Sequence, residues 1–68
     1  MLNKFRVRFI ELRNTSKLTQ TELANKLGVT QSIISGWEIQ YEPTFDELIK
    51  IANFFEVTTD FLIGRTDV

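Results

Sequence analysis

Carboxylates are the side chains of this sequence best suited to acid–base chemistry, since it contains nine Asp and Glu residues but no His and no Cys. Asp46 and Glu47 are adjacent, yet Thr44 precedes Glu47 by three residues, which is the spacing of a helix-capping box. Both acids are therefore explained as charges that stabilise the start of a helix. Without His or Cys the sequence offers no nucleophile–base set, disulfide or Cys/His zinc site. We expect neither an enzyme nor a metal or cofactor site.

Charge is distributed unevenly along the chain, although the net charge is only −1. Residues 1–37 contain six basic and two acidic residues, a net charge of +4, whereas residues 38–68 contain two basic and seven acidic residues, a net charge of −5. A domain with this polarity can present a positive face to phosphate groups while its total charge stays near zero. Chance solvation of two helical halves would produce the same asymmetry, so charge alone does not decide the matter.

Residues 20–39 predict two short helices joined by a tight turn. Apolar residues recur on one face of each helix, at Leu23, Ala24, Leu27, Ile34 and Trp37. Gly28 ends the first helix because a left-handed backbone costs glycine nothing, and Thr30 can cap the second. Two short helices joined by a three- or four-residue turn that contains Gly form a helix-turn-helix. Short helical hairpins also occur in proteins that bind no DNA.

The remaining residues predict three further helices. The first covers residues 2–14 and carries an apolar stripe of Leu2, Phe5, Phe9 and Leu12. Thr44 caps the fourth helix, and Thr58 caps a short last helix that Gly64 ends. Five helices leave no room for a sheet or a linker, so we predict an all-α, compact five-helix bundle and a single domain over residues 1–68. No apolar run is long enough to span a membrane and no signal-peptide pattern opens the chain, so we expect a cytoplasmic protein.

A succession of residues along the chain matches a known family pattern. They are Arg13, Leu18–Ala24, Gly28–Val29, Ile34–Glu38, Pro43–Thr44 and Phe61–Gly64. In this order they resemble the lambda-repressor-like (Cro/C1-type, or XRE) helix-turn-helix family, over most of the chain. The resemblance implies a DNA-binding domain with its motif core at residues 20–39, in which the second motif helix, about residues 31–38, enters the major groove.

The resemblance also implies which side chains meet the DNA bases. Carried over position by position, these are Gln31, Ser32, Ser35 and Gly36. Gln31 can bind adenine through a paired donor and acceptor, whereas the two serines read bases less selectively. Gly36 stands where relatives often have a longer polar side chain, and we expect it to leave room for a base or its methyl group. Simple solvation is the alternative for a helix face of small polar residues.

A second group of residues is placed for the DNA phosphates. Helix N-termini present unpaired N–H groups and a positive dipole end, which favours phosphate contacts at Thr19, Gln20 and Thr30. Lys17 lies in the connector just ahead of the Thr19 cap, so we expect its ammonium group to contact phosphate as well. Tyr41 can donate its hydroxyl to a phosphate.

Two internal contacts follow from the same resemblance. In relatives the residue at Gln20 hydrogen-bonds the residue at Gln31 and directs it toward the base. Arg13 is expected to pair with Glu38 in a largely buried structural ion pair that ties the first helix to the recognition helix. The alternatives are a surface residue at a helix start for Gln20 and an ordinary exposed charge for Arg13.

The chain departs from the family pattern directly after Glu38. The family usually continues with a residue, a glycine and then basic residues ahead of the proline, whereas Gln40 and Tyr41-Glu42 stand here instead. A glutamate repels phosphate, which argues against the contacts that this loop usually makes with the DNA phosphates in the family. The loop can instead face a protein partner.

Two functions fit the sequence. The leading prediction is a sequence-specific double-stranded DNA-binding transcriptional regulator, most often a repressor in relatives, that binds a palindromic operator as a homodimer. Apolar candidates for the dimer surface are Phe54, Val57 and Ile63. The alternative is a protein-interaction module of the same fold, antitoxin- or anti-repressor-like, which the acidic half and the missing basic loop favour. The operator, the sign of regulation, the effector and the oligomeric state stay open.

Overall fold

The computed structural model describes residues 3–68 and contains five α-helices and no strand in that range. The helices are α1 (Asn3–Thr15), α2 (Gln20–Leu27), α3 (Gln31–Ile39), α4 (Phe45–Phe55) and α5 (Thr59–Ile63). The predicted all-α five-helix fold is therefore confirmed. Leu2, which we predicted in the apolar stripe of the first helix, lies outside the described residues.

Threonine side chains start four of the five helices. The hydroxyls of Thr19, Thr30, Thr44 and Thr58 each accept a hydrogen bond from the backbone N–H three residues further on. Glu22 and Glu47 accept from the backbone N–H of Thr19 and Thr44 at 2.8 Å, which completes a capping box at the start of α2 and of α4. These caps satisfy donors that a helix start leaves unpaired, and each typically stabilises a helix by about 1 kcal/mol.

Left-handed residues follow four of the five helices, whereas α3 is followed by Gln40, which has a φ of −123°. Gly28 and Gly64 have φ angles of 73° and 89°, as their helix-stop positions predict. Lys17 and Glu56 also adopt left-handed backbone, with φ of 60° and 58°, at the ends of α1 and α4. A non-glycine residue at such an angle gives no signal in the sequence, because its side chain ordinarily disfavours that conformation.

Side chains from all five helices form one apolar core. Trp37 is only 1% exposed and lies edge-on to Phe9, with ring centroids 5.7 Å apart. Phe9 in turn stacks on Phe5 at 5.3 Å. The remaining buried hydrophobic residues of this core are Leu23, Ala24, Leu27, Ile34, Leu48, Ile51, Ala52 and Leu62. The predicted core position of Trp37 is confirmed.

The helix packing leaves one side of the motif open. α2 packs mainly across α3, while α1 lies against α3 and α5, and α4 contacts α5 and α2. The inner faces of α2 and α3 are thus covered, and their polar outer residues remain at the surface. None of the helices in residues 3–68 is both long and apolar enough to cross a membrane.

Candidate nucleic-acid interface

Four hydrogen-bonded side chains link the last turn of α1 to the N-terminal end of α3. Arg13 Nε donates to Glu38 Oε2 at 2.6 Å, and Arg13 Nη2 donates to Glu38 Oε1 at 3.2 Å. Gln20 Nε2 donates to the same Glu38 Oε1 at 2.9 Å. Gln31 Nε2 then donates to Gln20 Oε1 at 2.6 Å. Arg13, Glu38, Gln20 and Gln31 are called the relay below.

The ion pair at the base of the relay is poorly accessible to water. Only 16% of the Arg13 side-chain surface and 8% of the Glu38 side-chain surface are exposed. Arg13 Nη1 also donates to the backbone carbonyl of Leu18 at 3.0 Å, so each end of the guanidinium group has a partner. This two-point contact between a guanidinium and a carboxylate holds α3 against α1 with a defined geometry.

The relay sets the direction of both glutamine amides. A carboxylate can only accept hydrogen bonds, so Gln20 must turn its NH₂ group toward Glu38 and its carbonyl oxygen toward Gln31. Gln31 must then turn its own NH₂ group toward Gln20. This leaves the Gln31 carbonyl oxygen and its second N–H hydrogen for a ligand, one acceptor and one donor on the same amide. The assignment of each amide follows from the fixed charges at Arg13 and Glu38.

The first residues of α2 and α3 are Gln20 and Gln31, so their contact brings the two helix N-termini side by side. Thr19 and Thr30, the caps of these helices, are both exposed. Two positive dipole ends therefore open onto the same surface. Lys17 is exposed in the turn ahead of Thr19, whereas Gln20 is partly buried because both ends of its amide take part in the relay.

The predicted base-contact residues differ in exposure. Gln31 and Ser32 are exposed and Ser35 is half-buried, whereas Gly36 is buried. The prediction that Gly36 leaves room for a base is wrong for this structure, because a Cβ atom built on Gly36 would overlap the ring of Tyr41. The loop after α3 folds back so that Tyr41 N–H donates to the Gly36 carbonyl at 2.9 Å, and the ring covers the glycine.

Two positive charges of residues 1–37 are used inside the domain. Arg8 donates to the backbone carbonyl of Phe61 and, at 2.5 Å, to that of Thr66, and it pairs with Asp67 at 3.1 Å. The Arg8 guanidinium also lies 4.2 Å from the centre of the Phe61 ring. With Arg13 held by Glu38, two of the six basic residues counted in residues 1–37 are occupied. The surface is less positive than the sequence count predicts.

The apolar dimer candidates also differ from one another. Phe54 is 37% exposed, but Val57 and Ile63 are partly buried and pack against the core, so they offer less free surface than we expected. Larger exposed apolar residues flank the loop after α3, namely Ile39 at 73% and Phe45 at 74%.

The residues that the structure describes contain no group of three or more acidic, His or Cys side chains that could hold a metal ion. The candidate site is accordingly a surface of hydrogen-bonding groups: the exposed amide of Gln31, the hydroxyl of Ser32, the partly covered Ser35, the ring of Tyr41 and two helix N-termini. Such a surface suits recognition of a polar partner by shape and hydrogen bonding.

Comparison with known proteins gives consistent matches. A family model described as helix-turn-helix (HTH_3) matches residues 9–62. The chain is 36% identical over 61 residues to the HTH-type transcriptional regulator YobD of Bacillus subtilis, covering 88% of this chain and 54% of that protein. It is 37% identical over 62 residues to the HTH-type transcriptional regulator ImmR of the same organism, covering 90% and 49%. It is 38% identical over 66 residues to the HTH-type transcriptional activator BcrR of Enterococcus faecalis, covering 96% and 32%.

The chain thus spans about half the length of the first two of these relatives. No solved structure gave a significant match. The family model covers the whole motif and most of the bundle, and it agrees with the expectation that the chain is not an enzyme. The chain therefore belongs to the Cro/C1-type (XRE) helix-turn-helix family.

Proposed function

We propose that the chain is a sequence-specific double-stranded DNA-binding domain of a transcriptional regulator, and that α3 enters the major groove. The observation that supports this most directly is the relay, which orients the exposed amide of Gln31 at the N-terminal end of α3. An unconstrained surface glutamine would lose side-chain entropy on binding, whereas a held one loses less. The relay thus suits a side chain that must discriminate between ligands.

The free groups of Gln31 fit one base in particular. Adenine presents an acceptor at N7 and a donor at N6 in the major groove, and the amide of Gln31 has one donor and one acceptor left after its bond to Gln20. Gln31 therefore reads adenine. Ser32 and Ser35 contact neighbouring bases with less selectivity, since a hydroxyl both donates and accepts.

Phosphate contacts hold the domain on the duplex in this proposal. The N-termini of α2 and α3, with their caps Thr19 and Thr30, bind the backbone on the two sides of the contact between Gln20 and Gln31. Lys17 adds a positive charge next to the first of these N-termini. Because Arg8 and Arg13 are occupied within the domain, few cations remain for phosphate, and the salt dependence of binding is correspondingly moderate.

Regulation follows from occupancy of the operator. We propose a repressor that blocks a promoter, acting as a homodimer on a palindromic operator whose half-sites lie about 34–36 Å apart, one helical turn. Regulators among the relatives include an activator, BcrR, so the sign of regulation depends on where the operator lies. The protein would act in the cytoplasm, and the exposed apolar residue Phe54 is one candidate for the dimer surface.

A protein-interaction module of the same fold is the second candidate. It is favoured by the net charge of −5 in residues 38–68 and by the occupation of Arg8 and Arg13 inside the domain. An antitoxin- or anti-repressor-like role would use the acidic half and the loop of Tyr41 against a partner protein. DNA binding is preferred because only that role needs a directed glutamine amide between two helix N-termini.

Selection from a pool of random duplexes tests the proposal. The chain should enrich a sequence that contains adenine at a defined position, and the logarithm of its affinity for that duplex should fall linearly with the logarithm of salt concentration. A scrambled duplex of the same composition serves as control and should bind at least about 1,000-fold more weakly at physiological salt. A chain that enriches no sequence and binds all duplexes equally weakly would instead support the protein-interaction role.

A further inference from the structure

Tyr41 occupies the outer face of α3 although it lies outside that helix. Gly36 follows Ser32 by four residues, so both lie on the same face of α3, and Ser32 is exposed. A Cβ atom at Gly36 would overlap the Cζ, Cε2 and hydroxyl oxygen atoms of Tyr41. The hydroxyl end of the ring therefore stands where a side chain of residue 36 would begin.

The pairing of these two residues is specific. Any side chain at position 36 would displace the ring, so only glycine permits this arrangement. Glycine costs about 1 kcal/mol relative to alanine inside a helix, which makes its presence in α3 unfavourable unless the close approach is used. The ring is nevertheless 45% exposed, so Tyr41 covers Gly36 and still presents surface to a ligand.

We infer that Tyr41 replaces the missing side chain of Gly36 as a base-reading residue, its hydroxyl binding an acceptor on a base edge beside the base that Ser32 meets. This inference rests on the proposed function, because it needs the outer face of α3 to meet the major groove. The hydroxyl serves as donor to a purine N7, guanine O6 or thymine O4, and the ring edge packs on the neighbouring base or its methyl group. Tyr41 thereby contributes to sequence preference rather than to general attraction for phosphate.

Tyr41→Phe and Tyr41→Ala are the variants that test this inference, since the first removes only the hydroxyl and the second removes the ring. Tyr41→Phe should lower the affinity for the preferred duplex by about 3- to 10-fold, the value of one hydrogen bond, and change the affinity for scrambled DNA less than about 2-fold. Tyr41→Ala should also relax the selected sequence at one position in each half-site. Phe45→Ala removes an exposed aromatic ring outside α3 and should leave the selected sequence unchanged.

Gly36→Ala provides a second route to the same result. The added methyl group must push the ring away, so this variant should relax the same position as Tyr41→Ala. The variant that combines Gly36→Ala with Tyr41→Ala should then bind the preferred duplex as tightly as the weaker-binding single variant, because both changes remove the same interaction. Independent, additive losses would overturn the inference.

Four further outcomes also overturn it. Equal weakening of preferred and scrambled duplexes by Tyr41→Phe would show a phosphate contact, and tighter binding by Tyr41→Ala would show that the ring obstructs the DNA. A wild-type preference that every Tyr41 variant retains overturns the inference but leaves the proposed function standing. A wild-type chain without any base preference overturns both.

Discussion

The side-chain amide of Gln31 donates to that of Gln20 across 2.6 Å, which joins the first residue of α3 to the first residue of α2. Glu38 holds the other end of the Gln20 amide from the last turn of α3. Gln31 is therefore oriented from within its own motif, and the ion pair of Glu38 with Arg13 connects that orientation to α1. Changes within the relay are expected to alter sequence preference and stability in separable ways.

Gln20→Ala should remove the orientation of Gln31 without removing Gln31 itself. We expect the affinity for the preferred duplex to fall by about 0.5–1.5 kcal/mol, the net value of a hydrogen bond, and the preference for adenine to weaken. Selection from random duplexes and titration of the preferred duplex measure both effects. An unchanged adenine preference would mean that Gln31 needs no support from Gln20.

Gln20→Glu tests the direction of the relay. The new carboxylate can still accept from Gln31, but it would face the carboxylate of Glu38 where an N–H group now donates. Two like charges in a partly buried site are unfavourable, so we expect a lower melting temperature than for Gln20→Ala. If Gln20→Glu is the more stable of the two variants, Gln20 does not donate a stabilising hydrogen bond to Glu38.

Arg13→Met should leave the Glu38 carboxylate without a positive partner. That side chain is only 8% exposed, and Gln20 would be its remaining partner in the relay. Breaking such a pair costs about 3–5 kcal/mol when the remaining charge stays buried. Chemical denaturation measures the free energy of unfolding. Arg65→Met is the matched control on an exposed residue, and surface changes of this kind usually stay within about 0.5 kcal/mol. Equal stability of the two variants, or a Glu38→Gln variant with an unchanged melting temperature, would contradict a buried ion pair.

Trp37→Ala should destabilise the domain by about 3–5 kcal/mol, which is a large part of the roughly 5–15 kcal/mol available to a small domain. Trp37 is 1% exposed, and within residues 3–68 its Nε1 is buried without a hydrogen-bond partner. Trp37→Phe removes that unpaired donor and should therefore cost less than the alanine variant. In the native protein we expect blue-shifted tryptophan fluorescence that a soluble quencher does not reach. Water-like emission would contradict the core position.

Lys17→Gly should weaken binding to all duplexes alike, because phosphates do not differ between sequences. Glycine is a suitable replacement, since residue 17 has a φ of 60°, a left-handed backbone that glycine adopts without strain. The slope of log affinity against log salt should become shallower by about one unit. Arg65→Gly serves as the control for loss of a positive charge elsewhere on the surface. An unchanged slope would remove Lys17 from the phosphate-binding residues.

Local chemistry explains what the sequence predicted well. Thr19, Thr44 and Gly28 specify helix ends through bonds to residues three or four positions away, so their roles were readable without the fold. Contacts between distant segments were predicted only where the family resemblance implied them, as for Arg13 and Glu38. Arg8 is 59 residues from Asp67, and nothing at either position indicates that they pair.

In the candidate site, too, some contacts could be predicted from the sequence and others could not. The contact between Gln20 and Gln31 was implied by the resemblance, because in relatives the residues at these two positions hydrogen-bond each other. The position of Tyr41 over Gly36 was not, since it arises where the chain departs from the family pattern. Base and phosphate contacts form only with DNA, so they stay predictions.

The most direct test of the proposed function compares Gln31→Ala with Gln40→Ala, the same change on an exposed glutamine just after α3. Wild type and both variants are titrated against the preferred and the scrambled duplex at several salt concentrations. We expect Gln31→Ala to lower affinity for the preferred duplex by about 1–3 kcal/mol, to leave scrambled DNA almost unaffected and to keep the salt slope. Gln40→Ala should change neither. If Gln31→Ala weakens both duplexes equally, or weakens neither, α3 does not read the major groove through Gln31.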